Sequence, residues 1–400
     1  MPKLFQINIT ANWGSHGKIA EEIGQLAISR GWESYIAYGR WLNPSESELI
    51  HIGSSLDEKC HGLQSRLFDN HGLASIQSTK RFINEIEQIK PDIIHLHNIH
   101  GYYLNYPILF ECLKRTQVPV VWTLHDCWAF TGHCAYFTFA DCSRWKTGCH
   151  DCPNKKNYPA SLFLDRSKRN YDLKKKIFNS VGNLTLVPVS EWLRDLLSDS
   201  YLKDIPKRCI HNGIDLDVFK ESDMLKGLFP DKKIVLGVCS VWERRKGMED
   251  FIKLRSSLDG RYLIVLIGLT KKQIESLPEG IIGIERTNNV LELAAYYSRA
   301  DVFVNPTYED NFPTTNLEAL ACGTPVVTYN TGGSPEAIDE RTGLVIPTGD
   351  EKALADGIIM ICTNNNQKET SMACRLRAEQ LFNKNDRYQE YMYLYESLLR

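Results

Sequence analysis

The chain has 400 residues, with 47 Lys and Arg against 49 Asp and Glu, a formal net charge of −2 and 43% hydrophobic residues. A balance so near neutral gives no electrostatic footprint for nucleic acid, no apolar run reaches the ~18 residues of a membrane span, and the length suits two domains. Met1-Pro2-Lys3-Leu4 runs directly into a strand-like segment, which leaves no room for a secretory signal and points to the cytosol, where twelve cysteines favour thiols or metal over disulfides.

Leu4–Ile9 reads as a first strand and Ala11–Gly17 as a glycine-containing turn; Ile19, Ile23, Leu26 and Ala27 then recur at helical spacing. Strand, glycine turn and helix open a nucleotide-type α/β unit, a signal shared by many folds. Tyr35–Tyr38, Asp92–His97 and Val118–Asp126 are further strands, alternating with helical stretches at Arg81–Lys90 and Leu104–Arg115. That alternation predicts a parallel, doubly wound sheet. His97, His100 and His125 then fall at or just beyond carboxyl ends of strands, the functional edge of such a sheet.

Cys127, Cys134, Cys142, Cys149 and Cys152 crowd into 26 residues. Cys149 and Cys152 have the C-x2-C spacing through which two thiolates share a tetrahedral metal. Cys134 and Cys142 would complete four sulfurs, with His133 and His150 as spare ligands. The segment is long for a sheet loop and poor in apolar periodicity, so a structural zinc is the expectation; reduced buried thiols and a redox pair are the alternatives. From Lys155 to Phe178, basic residues including Lys174, Lys175 and Lys176 interleave with Leu162, Phe163, Leu164, Tyr171 and Phe178. Such a segment suits an anionic membrane surface, or equally a solvated helix packing one side on its domain.

Leu184–Ser190 closes the first sheet and Glu191–Leu197 starts a helix. The polar run Lys220–Lys232 breaks the alternation, which restarts with the strand Lys233–Cys239 and the basic loop Arg244, Arg245, Lys246. Tyr262–Gly268 and Ala300–Val304 are strands. An acidic, proline-broken loop, Glu309 to Pro313, follows the second of them. Thr315 and Glu318 have capping-box spacing, which predicts that a helix begins there. Gly323-Thr324-Pro325 stops it before the strand Val326–Tyr329. A helix N-terminus at the carboxyl end of a parallel strand favours anions. Asp310 and Glu318, eight residues apart, add acceptors for hydroxyls, so the stretch suits a ligand that is part sugar and part phosphate. Gly332–Glu336 and Thr342–Asp350 read as final loops, and Tyr388, Tyr391, Met392, Tyr395 and Leu399 share one face of a last helix.

Asp310-x7-Glu318 resembles the E-x7-E motif of the retaining GT-B glycosyltransferases of family 4 (glycosyl transferases group 1), with Asp in place of the first Glu. Lys246-Gly247 resembles the end of that family's G-R-x4-K-G loop. Val241 stands at the usual Arg position, so Arg244 or Arg245 would supply the charge. Asn212-Gly213-Ile214-Asp215 with Phe219 resembles the family's linker, which accounts for Asp215 and Asp217 without a metal. Thr123-Leu124-His125-Asp126 resembles the segment whose histidine meets the sugar or the acceptor hydroxyl. The cysteine-rich insert resembles the branch that makes bacterial exopolysaccharide, capsule and colanic-acid-type polymers.

The resemblance spans nearly the whole chain. It implies an α/β, GT-B fold of two Rossmann-like doubly wound domains facing each other across a cleft. Residues 1–212 would be the acceptor side with an insert at 127–153, residues 213–385 the donor side, and a helix over about 386–400 would pack back on the first domain. The implied reaction is retaining transfer from a UDP- or GDP-sugar to a saccharide or polyprenol-linked acceptor, in the cytoplasm or at the inner membrane face, without nucleic acid. It needs no cofactor for catalysis. His125, Arg244, Arg245, Lys246 and Asp310 would serve catalysis. Gly14, Gly17, Gly268, Glu309, Asp310, Asn311, Phe312, Pro313, Thr314, Thr315 and Glu318 would bind the donor, and Cys134, Cys142, Cys149 and Cys152 the zinc. A nucleotide-sugar isomerase or hydrolase, and a non-catalytic nucleotide-sugar-binding component of a polysaccharide assembly, are the competing readings.

Overall fold

Strands that are apolar on both faces need cover on both, and right-handed crossover helices provide it. The computed structural model describes residues 1–400, in two units: Met1–His211 with Tyr388–Arg400, and Asn212–Arg387. The first unit runs β1 (Lys3–Asn8), α1 (Gly14–Ser29), β2 (Glu33–Tyr38), β3 (Glu48–His51), α2 (Ser55–Phe68), α3 (Ile76–Ile89), β4 (Ile93–Leu96), α4 (Tyr106–Thr116), β5 (Val120–Leu124), α5 (Ser167–Phe178), β6 (Leu184–Pro188) and α6 (Glu191–Asp199). Its six strands are parallel in the order β3-β2-β1-β4-β5-β6.

The second unit repeats the plan with β7 (Lys233–Val238), α7 (Met248–Ser257), β8 (Tyr262–Ile267), α8 (Lys271–Glu275), β9 (Ile281–Ile284), α9 (Val290–Arg299), β10 (Val302–Asn305), α10 (Thr314–Ala321), β11 (Val326–Tyr329), β12 (Gly343–Ile346), α11 (Glu351–Thr363) and α12 (Gln367–Leu381). The strand order β12-β11-β10-β7-β8-β9 is the same winding. In each sheet the direction of winding reverses between the first and fourth strands. Loops leaving those two strands diverge and open a crevice for ligands.

Three strands escaped the sequence reading: β3, β9 and β12, the last within a stretch taken as loop. None is a central strand: β3 and β9 are edges with mostly half-exposed residues, and β12 is the opposite edge of the second sheet. The last helix, α13 (Lys384–Leu398), buries Tyr388, Tyr391, Met392 and Tyr395 among Leu4, Ile23, Ile93, Val121 and Val187 of the first unit. Leu399 lies beyond the helix end and is 41% exposed, so it leaves the predicted face.

The cysteine insert does not form the expected zinc site. No group of three or more His, Cys, Asp or Glu side chains is arranged to hold a metal. The Cys134 and Cys152 thiols hydrogen-bond to each other. Cys149 Sγ accepts the Gly132 N–H at 3.2 Å, and Cys142 packs half-buried on the core. Aromatic packing holds the segment instead: Trp145 lies 5.2 Å from Phe130 and 5.0 Å from Phe137 between ring centroids. These residues are too irregularly spaced to register as a helix or strand pattern.

Lys174 is the second correction, because α5 does not carry it on a solvated basic face. Its ammonium is buried over the Trp128 ring, 3.4 Å from the centroid, and donates to the carbonyls of Trp128 (2.7 Å) and Thr131 (3.1 Å). Burial pushes its pKa down to about 7. Lys175 and Lys176 remain exposed.

Candidate functional site

In the second unit the loops after β7 and β10 leave the crevice of the sheet together. The turn of 3-10 helix Arg244–Lys246 ends on Gly247, whose φ of +74° and approach to the Pro306 carbonyl, 2.2 Å from where a Cβ would sit, leave no room for a side chain. Tyr308 N–H donates to the Arg245 carbonyl at 2.8 Å, so the two loops are stitched backbone to backbone. Lys246 Nζ is ion-paired with Asp310 Oδ2; the two side chains are 18% and 21% exposed. Arg245 Nη1 donates to the Glu309 carbonyl at 3.3 Å and its Nε to Glu243 at 3.1 Å, whereas Arg244 is exposed. The structure therefore brings Arg245, Lys246 and Asp310 together from positions 64 and 65 residues apart.

The rest of the acidic loop is braced from behind. Glu309, Asn311 and Phe312 are buried, and Phe312 packs 5.8 Å from Phe382. Their side chains brace the loop from within. Gly332 packs so tightly on Asp310 that a Cβ would fall 1.6 Å from the Asp310 carbonyl oxygen, and its φ is +55°. Asp250, passed over in the sequence, accepts from Tyr308 (2.9 Å) and Tyr329 (2.7 Å) and ties the loop to α7. Only the meeting of three distant segments reveals it.

α10 begins at Thr314, with Pro313 rather than Thr315 at the cap position and no capping hydrogen bond from the cap residue's side chain. Thr315 is thus inside the helix, and the expected capping box is absent. Glu318 accepts instead from the Tyr297 hydroxyl at 2.8 Å. Burial keeps that phenol well above its ordinary value, so it stays a donor and orients the carboxylate. A helix N-terminus without a capping residue, cationic side chains and oriented carboxylates are groups that can bind phosphate and hydroxyls. Gly268 ends β8 against the Cys239 carbonyl, a packing position.

In the first unit Gly14 starts α1 with open space around its Cα, whereas Gly17 packs on Thr10. Thr10 lies two residues beyond β1, so Gly17 allows α1 to approach the turn that leaves the strand. His125 Nε2 lies 3.4 Å from His97 Nδ1. His100 Nε2 is 2.8 Å from Asp126 Oδ2, and its Nδ1 is 3.0 Å from the Tyr158 hydroxyl. Burial opposes ionisation of Asp126, but the adjoining His100 holds its carboxyl below the usual range. His16, in the first turn of α1, was not singled out in the sequence; its ring lies 5.9 Å from that of His125.

Comparison with known proteins places this arrangement. Residues 17–218 match the family model "Glycosyltransferase Family 4", and residues 232–364 match "Glycosyl transferases group 1". WcaC of Escherichia coli K12, provisionally assigned as a colanic acid biosynthesis glycosyl transferase, is 24% identical over 363 residues, covering 86% of this chain and 87% of WcaC. The sucrose-phosphate synthase of Thermosynechococcus elongatus superposes with a TM-score of 0.75 at 18% identity, over 100% of this chain and 99% of that one. Anabaena HepE, solved in complex with UDP, gives 0.69 at 15% identity over 99% and 100%. With more than half the chain matched by a single family model and the same double winding in its structural neighbours, the chain belongs to glycosyltransferase family 4, and it is a GT-B enzyme of that family.

Proposed function

We propose that the chain transfers a sugar, with retention of anomeric configuration, from a UDP- or GDP-sugar to a lipid-linked saccharide during cell-surface polysaccharide synthesis. The observation that carries this reading is the Lys246–Asp310 pair, whose aspartate stands four residues before the first residue of α10. Lys246, Arg245 and the helix amides put positive potential where negative charge grows on the departing diphosphate, usually the largest single contribution to such catalysis. In this reading Asp310 holds sugar hydroxyls and Glu318 holds the ribose. The acceptor attacks from the face the diphosphate leaves, and a donor phosphate oxygen takes its proton. With cationic side chains in this role, the reading requires no divalent ion. Similarity to WcaC supports the polysaccharide pathway, and HepE, solved with UDP and with UDP-glucose, supports the donor class.

The test is a panel of UDP- and GDP-sugars, with and without saccharide and polyprenyl-diphosphate-saccharide acceptors. Acceptor-dependent nucleotide release with a retained anomer is expected. Release without acceptor would identify a hydrolase or isomerase, and binding without turnover a non-catalytic component. Glu318→Gln should raise the donor KM by about tenfold or more, because a neutral amide accepts more weakly from hydroxyls.

Attachment to an anionic membrane is part of the same proposal, with its contact redrawn. Leu162, Phe163 and Leu164 are 58%, 69% and 40% exposed, in a segment that also carries exposed Lys156, Lys168 and Arg169. The Leu162 amide is fixed to the Arg66 carbonyl of α2 at 2.7 Å, so this apolar loop is anchored to the fold. Phe163→Glu should reduce flotation with phosphatidylglycerol vesicles, and wild-type binding should weaken with salt. Equal flotation of both proteins would remove the loop from any membrane contact. Charge reversal belongs at Lys175 and Lys176, since Lys174 is buried.

A further inference from the structure

Cys134 and Cys152 meet inside the insert with their sulfurs in hydrogen-bond contact. The Cys134 thiol donates, and Cys152 accepts both from it and from the Asn154 N–H. Two donors on one sulfur stabilise negative charge there, which marks Cys152 as the nucleophile of the pair. Their burial differs in the same sense: Cys134 is buried, whereas Cys152 is half-buried and can be reached by a small molecule from solvent. Both backbones are clamped. The Thr131 hydroxyl donates to the Cys134 carbonyl at 2.5 Å. The Cys152 N–H donates to Asp165 Oδ2 at 2.6 Å, and its carbonyl accepts the Lys155 N–H at 3.2 Å. Asp165 is held in turn, its Oδ1 accepting the Ser167 N–H at 2.9 Å. Cys149 differs, since its sulfur accepts the Gly132 N–H.

We propose that Cys134 and Cys152 form a reversible disulfide site, oxidised by a hydroperoxide and reduced by a small thiol. Sulfurs already in hydrogen-bond contact can close to a bond of about 2 Å by side-chain rotation, with little movement of the clamped backbone. The Cys152 thiolate attacks the peroxide, the O–O bond breaks, and Cys152 becomes a sulfenic acid. The departing alkoxide takes the former Cys152 proton and leaves as an alcohol. The Cys134 sulfur then attacks the Cys152 sulfur and expels hydroxide, which takes the Cys134 proton and leaves as water. Two thiols thus give up two electrons, and one hydroperoxide becomes one alcohol and one water. Reduction runs back by thiol exchange: one small thiol forms a mixed disulfide, and a second displaces it as a small disulfide. The loop so closed, residues 135–151, carries Phe137 and Trp145 of the aromatic packing. The bond therefore staples a segment that is already packed, and it restricts the unfolded chain more than it strains the folded one.

The test is treatment of the purified full chain with hydrogen peroxide, followed by thiol blocking and peptide mapping by mass spectrometry. It uses no sugar, so its outcome is independent of the transferase reading. Of the twelve cysteines, Cys134 and Cys152 should be lost first, joined to each other, and both should return with dithiothreitol. Earlier oxidation of the exposed Cys60, or a link between Cys149 and Cys152, would overturn the pairing. Cys134→Ser removes the resolving thiol, so Cys152 should stop as a sulfenic acid that dimedone traps. Cys152→Ser should leave Cys134 a thiol. A Cys152 that dimedone never labels, or a Cys134 that oxidises alone, would contradict the assigned order of attack. Cys142→Ser and Cys149→Ser should form the link as the wild type does. Its loss in either, or stoichiometric zinc that peroxide releases from the untreated chain, would show sulfurs gathered on a metal and sink the proposal. By tryptophan fluorescence the oxidised chain should melt several degrees above the reduced one; a lower midpoint would mean that the pair is not preset for the bond. If a serine variant does not fold, the wild-type map and its reversal decide.

Discussion

Lys246→Ala is expected to lower turnover by about a hundredfold or more, with a smaller change in donor affinity. The lysine's charge matters most when the diphosphate departs, so its loss is felt in the transition state more than in the complex with intact donor. The structure adds a second consequence. Lys246 is the partner of Asp310, so the same substitution releases a carboxylate that is only 21% exposed. Asp310→Asn separates the two effects: it removes the negative charge while leaving the lysine to face the leaving group. Asp310→Asn should chiefly alter discrimination between donor sugars. The double variant should lose less than the sum of the single losses, since the residues touch. Near-wild-type turnover by Lys246→Ala would reduce the pair to a structural salt bridge and remove the central support for the donor site.

Below pH 6.5 the first unit should lose stability steeply while the second does not. All eleven histidines lie in Met1–His211 and none in Asn212–Arg387. Burial depresses six of them, His16 and His61 to about 4 and His71, His95, His97 and His125 well below 6.5. His61 shows why: its Nε2 accepts the Gly72 N–H at 3.0 Å, a bond the protonated ring cannot make. Between the folded and unfolded values the unfolded chain holds the extra proton. Stability is therefore fully present above 6.5 and is lost as pH falls through the folded values. For His61 alone the loss is about 3 kcal/mol, a large share of the ~5–15 kcal/mol that holds a typical domain. His133 works in the opposite sense, since Asp69 at 2.6 Å outweighs burial and raises it, but it is one group against six. Seven of the eight tryptophans lie in the first unit, so fluorescence reports it almost selectively. A wild-type tryptophan signal at pH 4.5, or one transition shared by both units, would contradict the neutral histidine core.

The central strands of both sheets and the presence of a helix after Pro313 were legible in the sequence, because each is a local pattern. A buried parallel strand is apolar throughout, whereas the polar run Lys220–Lys232 lies inside the second unit, beyond the division at His211 and Asn212. β3, β9 and β12 are four-residue edge strands with mostly half-exposed or exposed residues and carry no such mark, whereas the edge strand β6 is almost wholly buried and reads as apolar. Tertiary structure alone decided how charge and hydrogen bonds are distributed. It withdrew Lys174 from a basic face into a pocket on Trp128. It gave Glu318 to Tyr297 instead of to a helix cap, and paired Lys246 with Asp310 across 64 residues. It also hydrogen-bonded the Cys134 and Cys152 thiols to each other instead of gathering the insert's cysteines into a group that could hold a metal. Residue types and spacing specify which groups are available. Which of two candidate partners a buried polar group takes depends on the desolvation of both, and that is fixed only when distant segments meet.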